Sequence, residues 1–181
     1  MVRGGRPFGY TSVARTAIAI VLLLRAVAFA QDVTEPALKA AFIYNFARFT
    51  TWPADLPAGE PFVICVLGDQ AVADALQRTV AGRLFGEHAI VVTRVAVGAP
   101  KRTCRVLYIA GLPPGQATEV VTELQEAPVL TLSNIEGFAS VGGMAQFFFE
   151  HGQLRFRITA ESARRAGLQI SSRLLVMARP K

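Results

Sequence analysis

The sequence carries few residues suited to catalysis or metal binding. Histidine occurs only as His88 and His151, and cysteine only as Cys65 and Cys104, in 181 residues. A structural zinc site draws its four ligands mostly from these two residue types, usually in closely spaced pairs. No C-x-x-C or H-E-x-x-H pair is present, so no metal ligand is assigned. There is no G-x-S-x-G elbow for a nucleophile and no P-loop to cradle phosphates. Gly68-Asp69 lacks the G-x-G-x-x-G spacing and reads as the cap of a helix. Gly142-Gly143-Met144 precedes a strand and reads as a bend, and His151 reads as a loop residue. Glu161, Arg164 and Arg165 read as a solvated helix face. The sequence therefore reads as a non-enzyme, with no catalytic residue and no cofactor.

Long apolar runs are also missing. The N-terminal run, Thr16 to Leu24, is about nine residues, whereas a bilayer span needs about twenty, and Arg25 blocks its extension. Arg3, Arg6 and Arg15 precede the run, and Ala28 and Ala30 form an A-x-A signal before Gln31. Residues 1–30 thus read as a cleavable secretory signal, and residues 31–181 as a single exported, periplasmic domain. An uncleaved anchor is the alternative reading. No cysteine follows the small residues, which argues against a lipid anchor.

Export changes the charge balance. The whole chain has 19 Lys and Arg against 13 Asp and Glu, a net +6. Four of those arginines and no acid lie in residues 1–30, leaving residues 31–181 at 15 against 13, or +2. That is too little for a nucleic-acid surface. No linker, repeat or low-complexity segment divides the remaining length, which suffices for one ordinary core.

An even cysteine count in an exported chain invites a disulfide. Cys65 lies within PFVICVLG and Cys104 opens CRVLYIAG, and both stretches read as buried strands. If these strands are neighbours, the two Cα atoms fall within bridging distance. Such a bond would close a loop worth about 4 kcal/mol in the chain-entropy model. Two buried free thiols are the alternative.

Hydrophobic periodicity gives the layout. Thr34 suits an N-cap, with Glu35 and Pro36 in the first turn. Leu38, Phe42, Phe46 and Phe49 follow at helical steps, and Trp52-Pro53 is expected to end the helix. Between Ala37 and Phe49 only Lys39, Asn45 and Arg48 are strongly polar, so this helix should be buried on most of its circumference. Strands are expected at 61–68, 88–95, 104–111 and 128–134, separated by helices at 69–82 and 113–127. That alternation implies a three-layer α/β sandwich with a mostly parallel central sheet. GGMAQFFFEHGQLRFRI then reads as an antiparallel C-terminal hairpin turning at His151-Gly152. A helix ending near Gly167 follows, then a short one capped by Ser171 or Ser172 that carries Leu174, Leu175 and Met177.

Three blocks of residues resemble the YfiR-like periplasmic regulator family. They are VTEPALKAAFIYNFARFTTWP (33–53), FVICVLGD (62–69) with CRVLYIAG (104–111), and the stretch from PVLTLSN through GLQISSRLLVMA (128–178). The resemblance implies a secreted α/β domain that binds the periplasmic sensory domain of an inner-membrane diguanylate cyclase. Binding would keep cyclic-di-GMP output low, and redox or envelope stress would relieve it. The resemblance also implies a homodimer, and it matches Cys65 and Cys104 to one of the family's disulfide pairs. A second pair near the hairpin has no counterpart here, so a redox switch built on it is not expected. Many relatives read RFEIN where this chain has RFRIT, so Arg157 replaces an acid.

The leading expectation is therefore a binding module acting on an inner-membrane signalling protein. Its contact residues are expected on the hairpin, at Phe147, Phe149, Arg155 and Arg157. The alternative is a periplasmic small-molecule sensor, or an accessory protein coupled to a histidine kinase or outer-membrane receptor. A sensor's ligand would occupy the crevice at the carboxyl ends of the strands.

Overall fold

The computed structural model describes Met1 and residues 34–179; the expected signal segment lies outside them. Helix α1 (Glu35–Arg48) starts where its local chemistry dictates. The Thr34 hydroxyl accepts from the Ala37 amide at 3.4 Å, and Pro36 occupies the first turn. Ala40, Ile43, Phe46 and Ala47 recur at helical spacing and are buried. The helix stops at Phe49, three residues before the expected Trp52-Pro53 breaker. The chain turns instead into β1 (Thr50–Thr51), which pairs antiparallel with β9 (Gln169–Ile170). The Ser171 amide also donates to the Phe49 carbonyl at 2.8 Å. The end of α1 is thus set by a partner more than a hundred residues away, which no local signal announces.

The main sheet contains β2 (Phe62–Leu67), β3 (Leu84–Phe85), β4 (His88–Val95), β5 (Val106–Ile109), β6 (Leu130–Ser133), β7 (Ala145–Glu150) and β8 (Gln153–Ile158). Its order is β3-β4-β2-β5-β6-β7-β8, parallel from β4 to β7 and antiparallel at both edges. Every residue of β5 and β6 is buried, as continuous apolar runs in a doubly covered sheet require. Helices α1 and α2 (Gln70–Val80) cover one face. Helix α3 (Pro114–Glu123) covers the middle of the other. The expected three-layer α/β arrangement with its C-terminal hairpin is what forms, with the small β1–β9 sheet added to it.

Gly68 takes φ +85°, and a Cβ there would lie 1.9 Å from the Ala110 carbonyl oxygen. The ends of β2 and β5 therefore pass too closely for any side chain at this position. Asp69 follows and caps α2, accepting from the Val72 amide at 3.0 Å. The hairpin turns through His151 (φ 50°) and Gly152 (φ 73°), two left-handed residues that match the twist of β7 and β8. Helix α4 (Ala160–Arg165) and helix α5 (Ser172–Met177) close the chain, and the Ser171 hydroxyl caps α5.

Cys65 and Cys104 are joined by a disulfide, with Cα atoms 5.8 Å apart. Cys104 is not in a strand as expected. It lies in the loop leading to β5, which begins only at Val106.

Candidate functional site

The β7–β8 hairpin forms one end of the sheet, and its register sorts the expected contact residues. Phe147 faces Phe156, Phe148 faces Arg155, Phe149 faces Leu154, and Gln146 faces Arg157. Side chains alternate along a strand, so Phe147, Leu154 and Phe156 turn together toward α1. Phe42 and Phe46 meet Phe147 and Phe156 edge-on, with centroids 5.0–6.0 Å apart. Phe147 is consequently fully buried and offers no surface to a partner; it belongs to the core. Phe149 shares its face but lies beyond the helix, and it is 47% exposed.

The opposite face carries the two arginines. The Arg157 guanidinium lies 4.1 Å from the centroid of the Phe148 ring. Its charge is thus engaged within its own hairpin by a cation–π contact of about 0.5–1 kcal/mol. Arg155 donates to the Gln153 side chain, and its Nε lies 4.0 Å from the Glu150 carboxylate. Glu150 also holds Arg179 at 2.9 Å, while the Arg179 amide donates to the Phe156 carbonyl at 2.9 Å. The chain's tail is in this way pinned across the outer edge of β8.

The residues that sequence reasoning missed are on α5. Leu174 is buried, but Val176 is 85% exposed and Met177 59%. A signal was present: four consecutive apolar residues, Leu174 to Met177, cannot all face inward on a helix. Between α1, β8 and α5 runs an apolar groove of about 430 Å³, lined by Phe42, Phe49, Leu154, Phe156, Leu174 and Met177. Phe149 does not line this groove; with Phe148 and Arg157 it lines the cavity at the carboxyl ends of the strands, described below.

A second cavity, of about 390 Å³, lies at the start of the parallel strands, not at their carboxyl ends. Trp52, Phe62 and Phe85 wall it, with Phe62 and Phe85 stacked at 4.0 Å and Trp52 edge-on to both. The Trp52 indole N–H donates to the Pro128 carbonyl at 2.9 Å, which fixes the ring. Asp55, Glu87, His88 and Arg105 supply its polar lining. At the carboxyl ends the cavity is smaller, about 330 Å³, and includes Glu35, Lys39, Asn134 and Glu136. Lys39 is buried there and paired with Glu35 at 2.5 Å, so its charge is already answered. Among the described residues no three of His, Cys, Asp or Glu come together as a metal-binding group. No helix among them is long and apolar enough to cross a membrane.

The YfiR/HmsC-like family matches residues 36–179, from the first turn of α1 to the pinned tail. The chain belongs to the YfiR/HmsC-like family. No curated protein matches it. The match takes in every helix and strand described above, so both the hairpin groove and the Trp52 cavity lie inside the YfiR/HmsC-like region. Within that region Arg157 stacks on Phe148, and the hairpin contains no cysteine.

Proposed function

We propose that this protein is a periplasmic negative regulator and not an enzyme. It captures the periplasmic sensory domain of an inner-membrane signalling protein, most simply a diguanylate cyclase, and lowers cyclic-di-GMP output. The observation that carries this reading is YfiR/HmsC-like membership over residues 36–179. The exposed Val176 and Met177 of α5, with Met177 lining the hairpin groove, support it, because exposed apolar patches mark interaction sites. Repression follows from differential affinity: each tenfold shift toward the inactive partner needs about 1.4 kcal/mol of preference for that state.

Deleting the gene should raise cyclic-di-GMP, and a tagged copy should recover a membrane protein with a periplasmic domain. Phe149→Glu and Val176→Glu should each abolish recovery while leaving the thermal midpoint unchanged. Unaltered cyclic-di-GMP with no membrane partner recovered would overturn the reading. Recovery of a histidine kinase or outer-membrane receptor would redirect it.

The Trp52 cavity favours a second reading, a solute sensor that tunes partner binding. Its three aromatic walls and mixed polar lining suit a small planar ligand. A thermal-shift screen of envelope metabolites against the wild type and Trp52→Ala tests it; no compound shifting the wild type would count against it.

A further inference from the structure

The small net charge of residues 31–181 conceals a segregation of charge. From Val106 to Leu154 there is no lysine or arginine, but there are five glutamates: Glu119, Glu123, Glu126, Glu136 and Glu150. Three other stretches, 36–54, 75–86 and 162–179, contain no acid at all. The fold sends these stretches to different sides. Helix α3 and the segments packed with it bear the first four glutamates on one face of the sheet, all exposed. The acid-free stretches meet on the other face, where α1, α2 and α5 pack together.

Helices α1 and α2 bring their carboxyl ends to one place. Arg48, in the last turn of α1, has its guanidinium carbon 5.9 Å from the centroid of the Tyr44 ring. Arg83, just past α2, lies 5.1 Å from the same centroid. Tyr44 is buried, so one fixed ring holds both guanidiniums at the surface. Arg78 occupies the last turn of α2. The Ser171 amide, bonded to the Phe49 carbonyl at 2.8 Å, brings Arg173 of α5 to the same end. All four arginines are exposed, and none is in an ion pair among the described residues. The acids of this layer lie toward the amino ends of α1 and α2 and are engaged: Glu35 by Lys39, Asp69 by the Val72 amide, Asp74 by Arg94. Val176 follows Arg173 by three residues, on the same side of α5, and is 85% exposed. It stands outside the lining of the hairpin groove.

We propose that this face docks on an anionic phospholipid surface, with the arginines among the headgroups and Val176 at the boundary beneath them. Unanswered cations on one side and glutamates on the other give the molecule an electrical polarity, which orients it toward a negative surface. An apolar residue ringed by arginines matches a bilayer interface, where a charged layer covers an apolar one. An acidic protein surface would answer the arginines but set Val176 against charge. The contact is peripheral, since no helix among the described residues is long and apolar enough to cross a membrane. The inference goes beyond capture of a partner domain, which needs no lipid contact. Docking would hold the regulator against the membrane that bears such a partner.

The test mixes the purified exported protein with vesicles and separates bound from free by flotation. One set contains phosphatidylglycerol and phosphatidylcholine in equal parts, the other phosphatidylcholine alone. At low salt the protein should float with the first set and not with the second. Raising salt from about 0.01 M to about 1 M shortens the screening length from about 30 Å to about 3 Å and should lower the bound fraction at least about tenfold. Arg48→Gln, Arg78→Gln and Arg83→Gln should each weaken binding about fivefold, with unchanged circular dichroism and thermal midpoint. Val176→Ser should weaken it as well. Arg102→Gln removes the same charge from the α3 side, where Arg102 donates to the Glu123 carbonyl at 2.9 Å, and should leave binding unchanged. No flotation with the anionic vesicles would overturn the proposal and leave an acidic protein surface as the occupant of this face. Equal flotation with both sets, or flotation undiminished in the three arginine variants, would overturn it too. The vesicles contain no protein, so this failure is separate from failure of the proposed function.

Discussion

Tyr108 stands in the middle of β5 with its ring 6.3 Å from that of Phe147 and its hydroxyl fully buried. That hydroxyl has no hydrogen-bond partner among the described residues. Burial raises the phenol's pKa well above its ordinary value, and the carboxylates of Asp69 and Glu35 add to the shift. An unanswered buried hydroxyl costs about 1–3 kcal/mol. Tyr108→Phe, which keeps the ring and removes the oxygen, should therefore stabilise the protein by about 1 kcal/mol at pH 7. The pH dependence has a definite sign. The folded pKa lies above the unfolded one, so this contribution is intact below about pH 10 and is lost as pH rises beyond it. Urea unfolding at pH 7 and pH 11 should show the variant's advantage widening at the higher pH. A variant less stable than wild type at pH 7 would mean that the hydroxyl is satisfied. At the same scale the hairpin aromatics show the limit of alternation. It correctly set Phe148 apart from Phe147 and Phe149, but only the position of α1 separates buried Phe147 from exposed Phe149.

The disulfide acts on elements. It links β2 to the loop before β5, and the Arg105 amide next to it donates to the Val63 carbonyl at 2.8 Å. Lys101, also buried, holds the same loop to α3 through Glu123 at 3.2 Å and donates within the loop to the Ala99 carbonyl at 2.9 Å. The bond closes a separation of 39 residues. Replacing both cysteines with alanine should lower stability by up to about 4 kcal/mol, read as a drop in the guanidinium midpoint. Cys65 and Cys104 are each 1% exposed, so native protein should resist dithiothreitol far longer than protein in denaturant. Rapid reduction of the folded protein would point instead to a redox role. Element starts were well announced by Thr34, Asp69 and Ser171, since capping is a local bond. Element ends were not. Helix α3 stops at Glu123, short of the expected 127, and α1 yields to β1 because β9 offers it hydrogen bonds.

On the scale of the molecule, the hairpin groove lies beside β8 at one end of the main sheet, and the outer edge of β4, which no described strand pairs beyond Ala89, lies near the other. The export reading is tested separately. N-terminal sequencing of protein from the periplasmic fraction should begin at Gln31, after the A-x-A signal. A chain retained in the membrane fraction with its N-terminus intact would establish the anchor reading.

The sequence by itself determined the α/β order, the capped first helix, the hairpin with its left-handed turn, and the family signatures. Each of these is written in neighbouring residues through periodicity, capping or turn chemistry. Only the tertiary structure decided where α1 ends, which hairpin phenylalanine reaches solvent, that α5 exposes Val176 and Met177, and that no described strand pairs the outer edge of β4 beyond Ala89. Those outcomes depend on which distant segments meet: β9 against β1, α1 across β7 and β8, and a helical layer narrower than the sheet beneath it. The exposed surfaces are of this second kind, because what remains exposed is settled only after the core has chosen what it buries.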